Sequence, residues 1–279
     1  MVPWILFRDN QYLCHGTQQG RRLRTHLQKR FLLLTIMTGQ DTLPLFVLPM
    51  VLMPGEVQEL RVFEPRYRQM LDDCLLDNKN FGLVMNDPFE PSNHWDGPRT
   101  HGCEAEILEH DTKGSNHFIS IVGRRRFTVE KVIPPALPPF DHPSMASLVN
   151  EDGLFPDLQT LLEHIPEDAS HHKLYISGDV RFHEASDPTS LTHQTMLKEL
   201  LNGVLNRIGA VLRIDAHVLD SWVEERVEHV VDDSPNSVFT VAALILNGLE
   251  SKQQILACAD AEEALAELMH QLSASYEEE

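Results

Sequence analysis

The amino-acid sequence predicts an α+β protein in which a small antiparallel β-barrel or sandwich is followed by a bundle of α-helices. Two observations support this prediction. From residue 43 to about residue 133, short runs of alternating apolar and polar side chains are separated by turn signals, which is typical of short antiparallel strands. From residue 197 onward, apolar residues recur three and four positions apart, which indicates amphipathic helices.

The first 36 residues differ in charge from the rest of the chain. They hold six basic side chains and one acidic side chain, so their net charge is +5 and that of the remaining residues is −24, which together give the formal net charge of −19. The apolar run from Phe31 to Met37 is too short to span a bilayer. We interpret residues 1–41 as a basic extension that is either disordered or precedes a native start near Met37; an organellar transit peptide is the alternative.

A predicted strand runs directly into a predicted helix at the segment Phe63-Glu64-Pro65-Arg66-Tyr67. Gln58 to Phe63 favours a strand, and Pro65 suits a first helical position, where its missing N–H has no helical partner. The strand Leu43–Pro49 is the candidate for packing against this helix. The apolar side chains of the helix fall three and four residues apart on one face, at Tyr67, Met70, Leu71, Cys74 and Leu75.

The next elements are predicted to be strands. Phe81–Asn86 is a short strand candidate, and Asp87–Arg99 is predicted to be a polar loop because it contains three prolines and a glycine. Cys103–Glu109 alternates small or apolar residues with charged ones, as a half-buried strand does. Thr112–Asn116 then supplies a hairpin turn, and the return strand runs from His117 through Val129.

Helical patterns dominate the C-terminal third of the chain. They predict a helix over residues 197–212 and another over residues 218–230. We expect the apolar stripes of these helices to form a mutual core rather than a docking groove. Three further helix starts are predicted, at Ser234-Pro235, at a Ser251–Gln254 capping pair and at an Asp260–Glu263 capping pair.

Four segments together resemble, in order and spacing, the N-terminal substrate-binding domain of Lon proteases. They are Leu43–Pro49, Pro54-Gly55, Phe63–Tyr67 and Gly123–Phe127. The resemblance resumes at Leu174–Phe182 and extends through the helices. It implies a PUA-like β-barrel of six strands followed by a helical subdomain.

The resemblance also implies an organisation for the chain. It places the barrel at residues 42–187 and the helical subdomain at 188–279, with an insertion in the barrel at about 135–172. The insertion is proline-rich at first and contains one short helical candidate, Phe155–Ile165. We expect it to be a tolerated surface excursion, since lengthening a loop costs little entropy; a functional loop is the alternative.

The residues carried over from the family motifs are interpreted as structural or as binding residues. They are Phe63, Glu64, Pro65, Arg66, Tyr67, Gly123, Arg124, Arg126 and Phe127. We predict that Glu64 pairs with Arg66 or with an arginine of the run 124–126, and that Phe63 and Tyr67 pack inward. The arginines of that run are expected to pair with carboxylates such as Glu64, Glu104 or Glu106.

No catalytic, cofactor-binding or metal-ligating residue is predicted. The sequence contains no G-x-x-x-x-G-K-[ST] phosphate loop, and its histidines form no H-x-x-x-H or H-E-x-x-H pattern with a carboxylate partner. The four cysteines are scattered, which suits a reducing compartment and hence a cytoplasmic location. The acidic balance argues against nucleic acid as a partner, including the RNA that PUA-type barrels suggest by analogy.

The resulting hypothesis is a non-catalytic, ATP-independent protein related to proteolysis. It would bind unfolded or degron-bearing polypeptides and deliver them to a separate protease, with no cofactor and no membrane. This hypothesis predicts an exposed apolar patch on the barrel or in the groove between barrel and bundle. The alternative is a small-molecule-binding or enzymatic protein with its site between the barrel and the helical bundle.

Overall fold

A computed structural model describes residues 41–114, 116–148, 156–184 and 187–277. The predicted basic extension at residues 1–41 lies, except for Asp41, outside the described residues. Within the described ranges the chain contains six β-strands and seven α-helices. The α+β class predicted from the sequence is therefore confirmed.

The six strands form one mixed sheet. They are β1 (Asp41–Leu48), β2 (Val57–Val62), β3 (Phe81–Ser92), β4 (Trp95–Lys113), β5 (Asn116–Ile133) and β6 (Ser177–Phe182). Their order is β2-β5-β4-β3-β1-β6, and a further pairing of β5 with β6 closes the sheet into a barrel. Only the β1–β3 pair is parallel among the described strands.

Strand β5 changes partner at Gly123. Its first half pairs with β2, and its second half pairs with β6. The segment between β1 and β2 crosses β5 at this point, where the Gly55 N–H donates to the Gly123 carbonyl at 2.9 Å. A Cβ atom on Gly123 would lie 2.1 Å from the carbonyl oxygen of Met53, so only glycine fits beneath the crossing.

The barrel encloses one apolar cluster, and its outer face contributes to a larger one. The enclosed cluster contains Leu45, Val47, Val84, Phe127, Ile176 and Val180. The adjacent Phe46 points the other way, because side chains alternate along a strand. There its ring lies 4.3 Å from that of Tyr67 and 5.8 Å from that of Phe81.

The helices cover that outer face and form the C-terminal bundle. They are α1 (Pro65–Asp77), α2 (Leu158–Glu163), α3 (Leu191–Val211), α4 (Ala216–Val230), α5 (Ser237–Ile245), α6 (Leu249–Ala257) and α7 (Ala261–Glu277). One continuous cluster of buried side chains joins α1, the outer barrel face and helices α3 to α7. The barrel and the bundle therefore share a core.

The insertion between β5 and β6 has a small core of its own. A 3-10 helix at Pro143–Leu148 and helix α2 contribute to a buried cluster of Leu137, Met145, Leu161, Ile165 and Leu174. Two side chains at the β3–β4 hairpin form hydrogen bonds to the start of the insertion. The Trp95 Nε1–H donates to the Leu137 carbonyl at 3.0 Å, and the Asn93 side chain donates to the Pro135 carbonyl at 2.8 Å.

The prediction of a loop at Asp87–Arg99 is wrong. Strand β3 continues to Ser92 and β4 begins at Trp95, so the region is mostly a hairpin. Its turn residues Asn93 and His94 both have positive φ, as a two-residue hairpin turn of type I′ requires. The prolines are tolerated because the ladder between the two strands is irregular there, with a register shift between Asp87 and Ser92.

The predicted helix starts have mixed outcomes. Asp260 caps its helix as expected by accepting from the Glu263 N–H, and Glu263 accepts from the N–H of Ala259, one residue before the cap. Helix α6, however, begins at Leu249 after Gly248, so Ser251 lies inside its first turn and does not cap it. Helix α5 begins at Ser237 rather than at the predicted Ser234-Pro235.

Candidate functional site

The side chain of Arg66 lies between two aromatic rings. Its guanidinium carbon is 3.7 Å from the centre of the Trp95 ring and 4.2 Å from that of Tyr67, and its Nε donates to Glu64 at 2.5 Å. The predicted Glu64–Arg66 pair is thereby confirmed. Tyr67 is buried as predicted, and its hydroxyl donates to the Val47 carbonyl at 2.7 Å. Burial raises the pKa of this hydroxyl far above its usual range.

The prediction for Phe63 is wrong. Its side chain is 65% exposed and contacts the guanidinium group of Arg61, whose carbon lies 5.7 Å from the ring centre. The reason is its position between β2 and α1. Val62, directly before it, and Tyr67, in the first turn of α1, are the buried side chains of this junction, and Phe63 projects outward.

Glu64 and Arg66 form one wall of a small pocket. The other walls are Trp95 and apolar residues of the insertion, including Leu137 and Met145, and the pocket has about 270 Å³ of empty space, part of it open to solvent. This volume is below the range of about 300–1,000 Å³ that is usual for small-molecule sites. The segment Phe63–Tyr67 therefore connects helix α1 to the insertion. It does not connect α1 to the arginine run at 124–126 among the described contacts.

Two arginines of the run at 124–126 pair with carboxylates on β4, as predicted. Arg124 donates to Glu106 at 2.5 Å, and Arg125 donates to Glu104 at 2.7 and 3.0 Å. Burial by itself would raise the pKa of Glu104, but the hydrogen bonds from Arg125 and Asn80 hold this pKa below its usual value. Both arginines therefore link β5 to the neighbouring barrel strand, β4.

The prediction of a carboxylate partner is wrong for Arg126, which forms no ion pair with any described residue. It is 7% exposed, and its guanidinium group donates to the carbonyl oxygens of Leu256 at 3.1 Å and Ala259 at 3.3 Å, and to that of Cys258. These carbonyls stand at the C-terminal end of α6, where a positive charge is favourable. The group also lies over the ring of Phe239 at 4.3 Å. The side chain of Arg126 thus lies buried between the barrel and the bundle and contacts both.

The nine motif residues do not form one site. Phe63 to Tyr67 contact β1, Trp95 and the insertion, whereas Gly123 to Phe127 contact β4, β6 and the bundle. The Phe127 ring fills the barrel interior and lies 6.2 Å from that of Phe182. None of the contacts found among the described residues joins the two segments.

Six of the described histidines lie in three ring pairs. No group of three or more His, Cys, Asp or Glu side chains in the described part of the chain could hold a metal ion. His110 and His117 on neighbouring strands are hydrogen-bonded ring to ring at 2.8 Å. His101 and His183 lie 6.1 Å apart, and burial and the nearby Arg126 lower the pKa of both.

Six of the exposed large apolar side chains in the described ranges lie where α3 turns into α4. We call this group the apolar tip. The exposed fractions are 48% for Ile208, 77% for Val211, 65% for Leu212, 42% for Ile214, 63% for Val218 and 50% for Trp222. A turn of four residues joins the two helices, so these six side chains fall within fifteen residues of chain around that turn.

Sequence reasoning assigned most of the apolar tip to the core, and that prediction is wrong. Helix α4 buries only the line Leu219, Val223 and Val227. At the end of α3, Gly209 receives the side chain of Leu219, which brings the two helices together there. None of the elements in the described part of the chain covers the remaining apolar side chains. A signal was present, because apolar residues occur at both 208 and 211–212, a wider stripe than one neighbouring helix covers.

Comparison with known proteins identifies the family. A family model described as the ATP-dependent protease La (LON) substrate-binding domain matches residues 42–274. The N-terminal domain of the Mycobacterium avium complex Lon protease has a similar structure, with 16% identity and a TM-score of 0.53 over 84% of this chain and 98% of that one. No match was found among curated proteins.

A second solved structure is similar as well. A Lon N-terminal domain protein from Xanthomonas campestris is 22% identical, with a TM-score of 0.49 over 82% of this chain and 98% of that one. In the described residues, no helix combines the length and the hydropathy that a membrane span requires.

Proposed function

The chain belongs to the Lon substrate-binding domain family, and from this premise we propose that it binds unfolded or degron-bearing polypeptides without hydrolysing them. We propose further that it acts without ATP and delivers these clients to a separate protease in the cytoplasm. The absence of a phosphate-loop motif from the sequence supports the ATP-independent part.

The apolar tip is the observation that carries the proposal. Six large apolar side chains, each at least two-fifths exposed, lie within fifteen residues of chain. Exposed apolar patches of this kind mark interaction surfaces, and unfolded polypeptides offer the apolar side chains that would cover this one. Trp222 combines a large ring with an indole N–H, the combination most frequent at binding hot spots.

The alternative, a small-molecule site between barrel and bundle, has less support. Arg126, Phe239 and the carbonyls at the end of α6 fill the contact between the two parts. The pocket beside Arg66 lies elsewhere and is small. The polypeptide-binding proposal is therefore the one that the geometry favours.

Binding to a permanently unfolded protein tests the proposal. Reduced, carboxymethylated α-lactalbumin carrying a fluorescent label should bind the full chain, with the native form as the negative control. The double variant Val218→Ser, Trp222→Ser should weaken binding about tenfold or more, because each lost apolar contact costs about 1 kcal/mol or more. Fluorescence anisotropy measures both affinities.

A matched control comes from the start of the preceding helix, α3. Leu191 is 80% exposed at the start of α3, so Leu191→Ser removes an exposed apolar side chain without touching the apolar tip. This variant should bind like the original chain. Equal affinities of the tip variant and the original chain would refute the role of the tip.

A further inference from the structure

A second surface lies on the barrel, where β2, β5 and β4 run side by side. The register of these strands arranges six side chains in two rows on the outer face. One row is Arg61, Phe118 and Asp111, and the other is Glu59, Ser120 and Glu109. We call these six residues the barrel face. They line an open groove with about 820 Å³ of empty space.

The barrel face has an unusual composition for a solvated sheet surface. Such surfaces are normally polar, yet Phe118 stands in the middle strand and is 39% exposed. Glu59 and Glu109 flank Ser120 in the adjacent row and form no ion pair among the described residues. An aromatic ring beside free carboxylates is the environment that a lysine or arginine side chain prefers.

The chain shows how a cation occupies this surface. The ammonium group of Lys113 lies 5.3 Å from the centre of the Phe118 ring and 3.2 Å from a carboxylate oxygen of Asp111. Both members of this ion pair are more than 60% exposed, at 71% and 63%. An exposed pair of this kind contributes little stability, so a cation from another molecule could replace Lys113 at small cost.

The edge of β2 offers backbone groups next to the barrel face. Among the described strands, β2 pairs only with β5, and its residues make no backbone hydrogen bond to any other described element. A sheet edge of this kind accepts an added strand. Val57 and Phe63, at the two ends of β2, are 56% and 65% exposed and would flank such a strand.

We propose that the edge of β2 and the barrel face bind an extended polypeptide segment carrying a lysine or arginine. The segment adds to β2 as a further strand, and its basic side chain lies over Phe118, close to Glu59 and Asp111. This surface is separate from the apolar tip and selects a different feature of the partner, a basic residue in an extended segment.

Two labelled peptides test the proposal with the full chain. The peptide SVTKVTS is prone to extended structure and has one central lysine, and SVTEVTS carries a glutamate instead. The lysine peptide should bind at least about tenfold more tightly, and added salt should weaken its binding, because the contact is largely electrostatic. Equal affinities for the two peptides would overturn the proposal.

Variants of the barrel face extend the test. Phe118→Ser and Glu59→Gln should each weaken binding of the lysine peptide several-fold, with circular dichroism to verify folding. Lys113→Ala removes the internal competitor and should strengthen binding about two- to fivefold. Weaker binding by Lys113→Ala, or unchanged binding by both other variants, would overturn the proposal.

A variant of the apolar tip distinguishes peptide binding at the barrel face from the proposed binding of unfolded polypeptides. The double variant Val218→Ser, Trp222→Ser should keep its full affinity for the lysine peptide. Loss of lysine-peptide binding in this variant would overturn the separate site. Failure of carboxymethylated α-lactalbumin to bind would refute the proposed function alone, because the lysine-peptide measurement does not depend on the tip.

Discussion

At the scale of single residues, Arg126 determines how the barrel meets the helical bundle. Its buried guanidinium group donates to three carbonyls at the C-terminal end of α6, where carbonyl groups lack a helical partner. Burial disfavours its charged form and lowers the pKa of Arg126, but an arginine remains charged at neutral pH. One side chain thus connects two parts of the core.

Replacing Arg126 with methionine should therefore be costly. Methionine keeps much of the volume but leaves buried carbonyls without donors, so we expect the free energy of unfolding to fall by about 2–4 kcal/mol. Urea denaturation followed by circular dichroism measures this change. Arg124→Met serves as the control, since the Arg124–Glu106 pair is nearly half exposed and should be worth at most about 1 kcal/mol.

The charge pairs of the barrel could be predicted from the sequence, whereas the role of Arg126 could not. Arg124 and Arg125 alternate in direction along β5 and find carboxylates on the neighbouring strand β4, a relation that strand periodicity suggests. The partners of Arg126 are backbone carbonyls 130 to 133 residues away. Every residue has a carbonyl group, so no side-chain pattern indicates which ones are used.

At the scale of elements, the β3–β4 hairpin positions the insertion. Trp95 at the start of β4 receives the guanidinium group of Arg66 on its ring and donates its N–H to Leu137. The insertion has its own small core, and further hydrogen bonds join it to Asn93 in the turn before β4 and to Gln69 on α1. We infer that it opens independently of the barrel, as small packed units do.

The substitution Trp95→Phe tests this independence. Phenylalanine keeps a ring for Arg66 but removes the hydrogen bond to Leu137, which is worth about 1 kcal/mol. Amide hydrogen exchange at Ala136 and Met145 should accelerate about fivefold, while exchange within the β4–β5 ladder should stay unchanged.

The same hairpin supplies the control for this prediction. Phe89 is 87% exposed on β3, so Phe89→Ala should alter exchange in neither region. Equal acceleration of the insertion and the β4–β5 ladder in the Trp95→Phe variant would show that the two open together.

The hairpin and the apolar tip mark the limits of element prediction here. Residues 87–99 were predicted to be a loop because they contain three prolines and a glycine. Local propensity cannot show that the ladder between the two strands is irregular there, so that the N–H groups missing from proline are not needed. At the apolar tip, periodicity identified the helices correctly. It could not show which apolar side chains of α3 and α4 the other described elements leave exposed, since that depends on how the helices pack in three dimensions.

At the scale of the whole molecule, three partly buried histidines make stability depend on pH. Burial is the main cause that lowers the pKa of His101, His117 and His183 below the usual value. For His117, the neighbouring His110 and Arg68 act in the same direction, whereas Asp72 opposes them. The folded chain therefore binds fewer protons at these residues than the unfolded chain does.

The sign of the pH dependence follows from this difference. Unfolded histidines titrate near pH 6.5, and the folded ones titrate lower, so the free energy of unfolding should fall as the pH drops below about 6.5. Guanidinium chloride denaturation at pH 7.5 and pH 5.5 measures the loss. The variants His117→Asn and His183→Gln should each reduce it.

A histidine outside these pairs provides the comparison. His229 is exposed on α4, so His229→Gln should keep the full loss of stability. A loss that is identical in all three variants would assign the pH dependence to other groups.

The closure of the sheet has a consequence for synthesis of the protein. Asp41 in β1 pairs with Val180 in β6, which follows it by 139 positions (180 − 41). At about 5–20 residues per second, a ribosome needs roughly 7–28 s to make the intervening chain. During that time the nascent barrel stays open along β1 and β5. A protein that we propose to receive unfolded chains thus begins as one, and co-translational chaperones would meet it in that form.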